Sequence, residues 1–403
     1  MILYFIGLTE SYEGEGYDRK NLKIPQNQEE LLAEIAETVG RDHIAAISFG
    51  GAPMDFSFEK NVGAILHMYL GGQAVGESVA DLISGEVNPS GKLAETIPFS
   101  EKDTPAWRYF APPNDDVEYR ESIFVGYRYY ETFHVPVKYP FGYGLSYTSF
   151  SYSELNVPEV YSGGKIQIGF KIKNIGKVSG AEIAQLYVCP NESDVIRSHI
   201  ELKGFQKIYL HPGEEKEVIL ELDERSFSVY DVEKKAFSML SGKYQICIGA
   251  SVHDLQLKAN MEVVGNSYFR NERELFSDYF REQPHGMEIS AEQFYQLLGG
   301  EPKHDKEKKR GEYTVYDSYQ DVVNVSMFGK FVRGVVHIGL KIILRGKSER
   351  DPAFKMVKMG VEEGNLEGLI ATSGGIATPK LIDMLVYNAN KKYLQAFKRL
   401  LKK

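Results

Sequence analysis

Ile166-Gln167-Ile168-Gly169-Phe170-Lys171-Ile172-Lys173 places an apolar side chain at every second position, with a polar or minimal one between. A period of two sends successive side chains to opposite faces of an extended chain, so this stretch predicts a strand with one buried face. The pattern recurs outward from it. Val218, Leu220 and Leu222 share a face, as do Tyr244, Ile246 and Ile248, and turn signals at His211-Pro212-Gly213 and Ser241-Gly242 separate the runs. Short alternating strands at this spacing predict a β-sandwich over residues 151–265.

Toward the N-terminus the period changes. Met1–Gly7, His43–Phe49 and Val62–Leu70 are continuous apolar runs, as expected of strands covered on both faces, while Gln26–Val39 and Gln73–Ser84 carry helical spacing. Strands alternating with helices predict a parallel α/β layer with right-handed crossovers. Three strands make a small sheet and the chain opens inside one, so residues 1–150 read as a partial α/β domain. The turn-rich, aromatic stretch 88–150 is expected to pack as a connector. Residues 266–403 predict a charged, mainly helical extension. Within it Lys303–Arg310 reads as a solvated linker, and Phe328–Leu344 and Leu381–Leu401 have helix-like apolar spacing. Basic amphipathic helices can lie on membranes; the expectation here is a helical appendage packing on its own protein, without membrane contact.

A chain of 403 residues exceeds one ordinary core, and 43% hydrophobic with 26% charged residues is a soluble globular profile. A net charge of −9 argues against a nucleic-acid binder, which needs a basic face for phosphates. Cys189 and Cys247 sit in alternating apolar runs and predict buried free thiols rather than a disulfide framework. No metal-ligand spacing of Cys or His occurs, and no cofactor is expected. The apolar N-terminus lacks a basic leader and a small-residue cleavage site, and Val335–Leu344 is interrupted by His337 and Lys341, so a cytoplasmic chain is expected.

The densest polar cluster is Thr9-Glu10-Ser11-Tyr12-Glu13-Gly14-Glu15-Gly16-Tyr17-Asp18-Arg19, directly after the first strand. Loops at the carboxyl ends of strands are where α/β sheets meet ligands. Gly14 and Gly16 free the backbone on both sides of Glu15 and leave its carboxylate projecting. Glycosidic cleavage needs such a proton donor near the leaving oxygen and a second carboxylate across the sugar. Glu13, without glycine on both sides, is the lesser alternative. On composition alone an acidic loop is more often solvated surface, and Asp18 beside Arg19 more often a structural ion pair. Gly71-Gly72-Gln73 with Gly76 lacks the spacing of a phosphate loop and reads as close helix–strand packing. Trp107 has the chemistry to stack on a sugar but is expected to pack under the connector.

Four ordered motifs add to this reading. Gly14-Glu15-Gly16-Tyr17-Asp18-Arg19, with Leu22, Pro25 and Gln28 behind it, resembles the acid/base loop of family 3 glycoside hydrolases, the β-glucosidase family. Ala80-Asp81-Leu82-Ile83-Ser84-Gly85 leading into Asn88-Pro89-Ser90-Gly91-Lys92-Leu93 is similar to the same family, as are Ile123-Phe124-Val125-Gly126-Tyr127-Arg128-Tyr129-Tyr130 and Tyr139-Pro140-Phe141-Gly142-Tyr143-Gly144-Leu145-Ser146-Tyr147. The sandwich resembles the fibronectin type III-like domain that closes many members, and the tail, with Thr372-Ser373-Gly374-Gly375, a helical extension of some bacterial ones.

The resemblance implies a retaining mechanism, with an Asp nucleophile on an N-terminal (β/α)8 barrel and a Glu acid/base on the α/β domain that follows. Glu15 matches the acid/base. No eightfold strand–helix pattern supplies the barrel, so three functions are expected in descending order. The first is a glycoside hydrolase component acting on a β-glucoside or related oligosaccharide with a separate barrel-bearing chain. The second is a non-catalytic carbohydrate-binding or scaffold module. The third is a remnant with exposed sheet edges.

Overall fold

The computed structural model describes residues 1–10, 12–14, 19, 21–110, 117–191, 193–265, 271–302, 308–345, 351–362 and 364–401. These fall into two compact units, residues 1–6 with 22–302, and residues 7–21 with 303–403. The architecture is α/β plus all-β with a helical C-terminal extension.

The first unit opens with strands β1 (Ile2–Gly7), β2 (Ile44–Phe49) and β3 (Ala64–His67), adjacent in that order. β2 and β3 run parallel, in register from Ala45 opposite Ala64 to Ser48 opposite His67. Helix α1 (Gln26–Val39) links β1 to β2, and α2 (Val75–Ser84) follows β3. Leu32 of α1 is fully buried, and the Tyr4 hydroxyl donates to Gln28 O at 2.7 Å, so the even-numbered residues of β1 face α1. The opposite face is open: Leu3 and Phe5 are 38% and 58% exposed against 2% for Ile6. Among the described residues, the two-sided cover predicted for β1 is therefore not present: β1 stands at the edge of the sheet, with α1 on one face. Gly71 opens the turn into α2, where a Cβ would lie 2.4 Å from Val75 Cγ2, so packing explains this glycine.

A short antiparallel pair, β4 (Ile97–Pro98) with β5 (Val137–Tyr139), and helix α3 (Tyr127–Thr132) belong to the connector. The sandwich comprises β6 (Phe150–Asn156), β7 (Val160–Tyr161), β8 (Ile166–Asn174), β9 (Gly180–Pro190), β10 (Glu201–Leu210), β11 (Glu215–Leu222), β12 (Ser228–Asp231), β13 (Ala236–Met239), β14 (Gly242–Ser251) and β15 (Asp254–Val263). One sheet has the order β10-β9-β14-β15-β7, the other β11-β8-β6, and β12 pairs with β13. Ile168, Phe170 and Ile172 from one sheet meet Leu186, Val188, Ile246 and Ile248 from the other in a single core. The alternation read from the sequence is this inward face.

The connector is fastened to the sandwich by buried polar groups. Leu93 N donates to Tyr143 O and Gly142 N to Leu93 O, both at 2.8 Å, laying the Asn88–Lys92 turn against the Tyr139–Tyr147 segment. Asn88 accepts from Ser146 Oγ and Tyr147 N and donates to Ser179 O. Asn174, fully buried, accepts from Thr148 Oγ1 at 2.7 Å and donates to Val178 O and Leu210 O. Gln185 Nε2 donates to Gly142 O and Ala250 O. Lys92 Nζ lies 2.9 Å from Gly144 O and 2.9 Å from Glu182 Oε1, and the two side chains are only 11% and 8% exposed. Glycine is required where these backbones meet. A Cβ on Gly144 would sit 2.2 Å from Gly91 O, and Gly142 combines φ +80° with a Cβ position 2.1 Å from Gln185 Oε1.

Residues 271–302, with helices α4 (Glu272–Leu275) and α5 (Ala291–Leu298), also belong to the first unit. Phe276, Tyr279, Met287 and Ile289 share a core with Phe124, Tyr129, Tyr130 and Val135. Tyr129 Oη donates to Gln283 O at 2.6 Å and accepts from Gly286 N, and Tyr109 Oη does the same with Ile289.

In the second unit, α6 (Tyr319–Asn324), α7 (Met327–Ile343), α8 (Pro352–Glu362), α9 (Leu366–Thr372), α10 (Pro379–Ala389) and α11 (Tyr393–Leu401) surround Val322, Val323, Leu366, Leu369, Ile382 and Leu385. Side chains of Ser318, Ser326, Asn365 and Thr378 cap four of these helices by accepting from the third backbone N–H beyond them. Asn390 ties Gly311 and Tyr313 to the end of α10.

The clamp yields a stability prediction. Lys92→Met strands the buried Glu182 carboxylate and is expected to destabilise the first unit by about 3 kcal/mol, read as a lower urea midpoint. The double variant Lys92→Met/Glu182→Leu should recover most of that loss.

Candidate functional site

Glu15, the candidate acid/base, lies outside the described residues, together with Gly16, Tyr17 and Asp18. The flanks are described. Tyr12 N and Glu13 N both donate to Thr9 O, at 2.8 and 3.0 Å, so the chain leaves β1 through a tight turn. Glu13 and Gly14 are half-buried. Burial pushes the Arg19 guanidinium down from its ordinary range, and the Glu13 carboxylate pulls it back up.

Within the first unit, a second polar group stands at the carboxyl ends of the parallel strands. Ser48, fully buried at the end of β2, has its Oγ 2.9 Å from His67 Nδ1 on β3. The His67 ring lies 4.0 Å from that of Tyr69 and edge-on to Phe56 at 5.3 Å. Burial depresses His67 to about 4, with the Ser48 contact opposing, so the imidazole is neutral at physiological pH. Tyr69 adopts φ +50°, a left-handed conformation that a non-glycine residue holds at a cost. Burial and the neighbouring Glu95 carboxylate both raise its phenol, and burial raises Glu95. Among the described residues no hydrogen-bond partner reaches His67 Nε2.

These residues went unread in the sequence because His67 and Tyr69 close an apolar run. The available signal was two aromatic polar groups at the carboxyl end of a parallel strand, just before Gly71-Gly72. Buried groups with shifted pKa at that end of a sheet are where α/β folds receive ligands.

Elsewhere in the first unit, a cavity of about 810 Å³ opens on the sandwich, lined among others by Glu131, Cys189, His199, Lys243, Gln245 and Lys258. Its lining includes no Phe, Tyr or Trp, the side chains that usually stack on a sugar. Cys189 and Cys247 are buried free thiols with Sγ atoms 3.9 Å apart. Trp107 is 42% exposed, so the packing expected of it is only partial. No group of three or more His, Cys, Asp or Glu among the described residues is placed to hold a metal ion.

Residues 1–147 match the glycosyl hydrolase family 3 C-terminal domain, and residues 182–252 the fibronectin type III-like domain. Thermostable beta-glucosidase B of Acetivibrio thermocellus is 44% identical over 261 residues, 64% of this chain and 34% of that protein. The exo-alpha-(1->6)-L-arabinopyranosidase of Bifidobacterium breve is 37% identical over 266 residues, 66% of this chain and 35% of that one. The crystal structure of a family 3 beta-glucosidase from Bifidobacterium adolescentis superimposes with a TM-score of 0.63 at 37% identity, covering 66% of this chain and 39% of its own. The chain spans about a third of the length of these curated relatives.

The His67 environment makes a pH prediction. Its folded-state pKa lies below the ordinary value of 6.5, so the neutral form stabilises the fold above that pH and the contribution is lost as pH falls toward about 4. The thermal midpoint of the wild type should therefore fall over this window more steeply than that of His67→Gln, measured by differential scanning calorimetry.

Proposed function

Carrying the C-terminal domain of glycosyl hydrolase family 3 and a fibronectin type III-like domain, this chain, we propose, is the acid/base component of a retaining, β-glucosidase-like glycoside hydrolase. The observation that carries the reading is the family 3 match over residues 1–147, the span that contains Glu15 in its Gly14-Glu15-Gly16 setting. The named relatives include beta-glucosidases and arabinopyranosidases, which supports hydrolysis of a terminal glycosidic bond and leaves the sugar to other residues.

In this mechanism Glu15 protonates the leaving glycosidic oxygen while a second carboxylate attacks the anomeric carbon. Glu15, now ionised, then takes a proton from the water that releases the sugar. The two carboxyl groups must stand roughly 5–5.5 Å apart for net retention. The described residues form no (β/α)8 barrel, and the parallel sheet they contain has three strands. On this reading the nucleophile comes from a barrel domain outside these residues, supplied in trans. Glu15 must hold its proton near neutral pH, which requires burial against that partner or the field of the partner's carboxylate.

The test is hydrolysis of an unactivated alkyl β-glucoside by the purified chain mixed with a separately produced family 3 barrel domain. Turnover by the mixture and not by either part, lost by about 100-fold or more with Glu15→Gln, is the expected result. An unchanged rate with Glu15→Gln sinks the assignment. Because a good leaving group needs little protonation, a dinitrophenyl β-glucoside should lose far less than the alkyl substrate.

A further inference from the structure

The charge of the chain is unevenly placed. Residues 303–403 hold 20 Lys and Arg against 11 Asp and Glu, although the whole sequence carries −9. Within this basic region, α7 is the longest helix, and its four titratable side chains, Lys330, Arg333, His337 and Lys341, are all basic and exposed.

Helix α7 is anchored on one side only. Val332 is buried in the core of its unit, with Phe328 and Val336 packed against that core, and Ser326 caps its N-terminus at 2.9 Å from Gly329 N. The adjacent stripe is uncovered. Met327, Phe331, Val335, Ile338 and Ile342 are 85%, 68%, 54%, 61% and 68% exposed. Their spacing of four, four, three and four residues aligns them along one line of an α-helix, five large apolar side chains in a row. Isolated exposed apolar residues need no explanation, but a continuous stripe of this kind does. On the helix wheel the basic residues fall along the edge of the stripe opposite the core-facing side.

We propose that α7 is a membrane-surface anchor, laying its apolar stripe into the acyl boundary of an anionic bilayer while Lys330, Arg333 and Lys341 meet the lipid phosphates. An apolar stripe with a cationic margin and no acidic residue fits that surface. A polyanion such as RNA uses the cations alone and has no need of the stripe. Arg333 Nη1 also reaches Asn324 Oδ1, a contact compatible with a headgroup on its outer side. No helix among the described residues is long and apolar enough to cross a membrane, so the helix lies on the surface rather than through it. Periodicity and charge alone favour packing on the protein itself; the uncovered stripe is what the fold adds.

The experiment is co-sedimentation of the full chain with phosphatidylcholine vesicles, with and without phosphatidylglycerol. The wild type should partition onto the anionic vesicles at least about tenfold more strongly than onto the neutral ones. Phe331→Glu/Ile338→Glu, whose side chains are exposed and whose fold circular dichroism will verify, should lose that binding. Lys330→Gln/Lys341→Gln should weaken it and reduce its salt dependence. Binding that survives the double Glu variant overturns the proposal, as does wild-type binding to heparin but not to vesicles. So does a wild-type dimer in light scattering that the double Glu variant converts to monomer, because the stripe would then cover a second copy. None of these outcomes depends on Glu15.

Discussion

A lysine and a glutamate buried together, Lys92 and Glu182, hold the first unit in one arrangement. Two charges removed from water are tolerated only when each finds the other and the remaining hydrogen-bonding atoms are filled. Lys92 therefore also reaches Gly144 O, and around the pair Asn88, Asn174 and Gln185 each bond backbone atoms from distant segments. Apolar contacts tolerate small slips, but these amides do not. A shift of one residue between connector and sandwich would leave several buried donors and acceptors unpaired. The glycines follow from the same constraint: a Cβ on Gly144 would meet the Gly91 backbone, and one on Gly142 would meet the Gln185 side chain that holds the connector.

That fixed arrangement gives the parallel sheet a rigid base. The connector's β4 and β5 lie between the layer and the sandwich in sequence, and Tyr139 of β5 donates to Glu59 at 2.5 Å, ahead of β3. At the carboxyl ends of β2 and β3, Ser48 is buried, and His67, Tyr69 and Glu95 are half-buried beside it. A neutral imidazole and a strained tyrosine persist there only because the surrounding packing over-determines them. A polar group held this way at a strand end is suited to meeting a polar ligand without first reorganising.

The second unit obeys a different logic. Four of its helices are capped by a Ser, Asn or Thr side chain, and its core is built mainly from valine, leucine and isoleucine. Such a bundle can afford an apolar surface on one helix because its stability rests on the opposite face. The basic surplus of residues 303–403 stands against the net −9 of the whole chain.

Much of this was legible in the chain itself. The period of two at Ile166–Lys173, the helical spacing of Gln26–Val39 and the Gly-rich turns at Asn88–Gly91 and Tyr139–Gly144 each report a local steric preference, and local sterics are written in neighbouring residues. The Gly14-Glu15-Gly16 motif after the first strand was likewise a local pattern, and it remains a proposal because Glu15 lies outside the described residues. The open face of β1, the partial exposure of Trp107, the return of residues 271–302 onto the aromatic connector and the meeting of Ser48 with His67 were not. Each depends on what lies on the far side of a residue, from segments tens to more than a hundred positions away. The sequence by itself determined which elements form and where their apolar faces point. Only the tertiary structure decided which of those faces are covered and which polar atoms meet, because burial is a property of the neighbours and not of the residue.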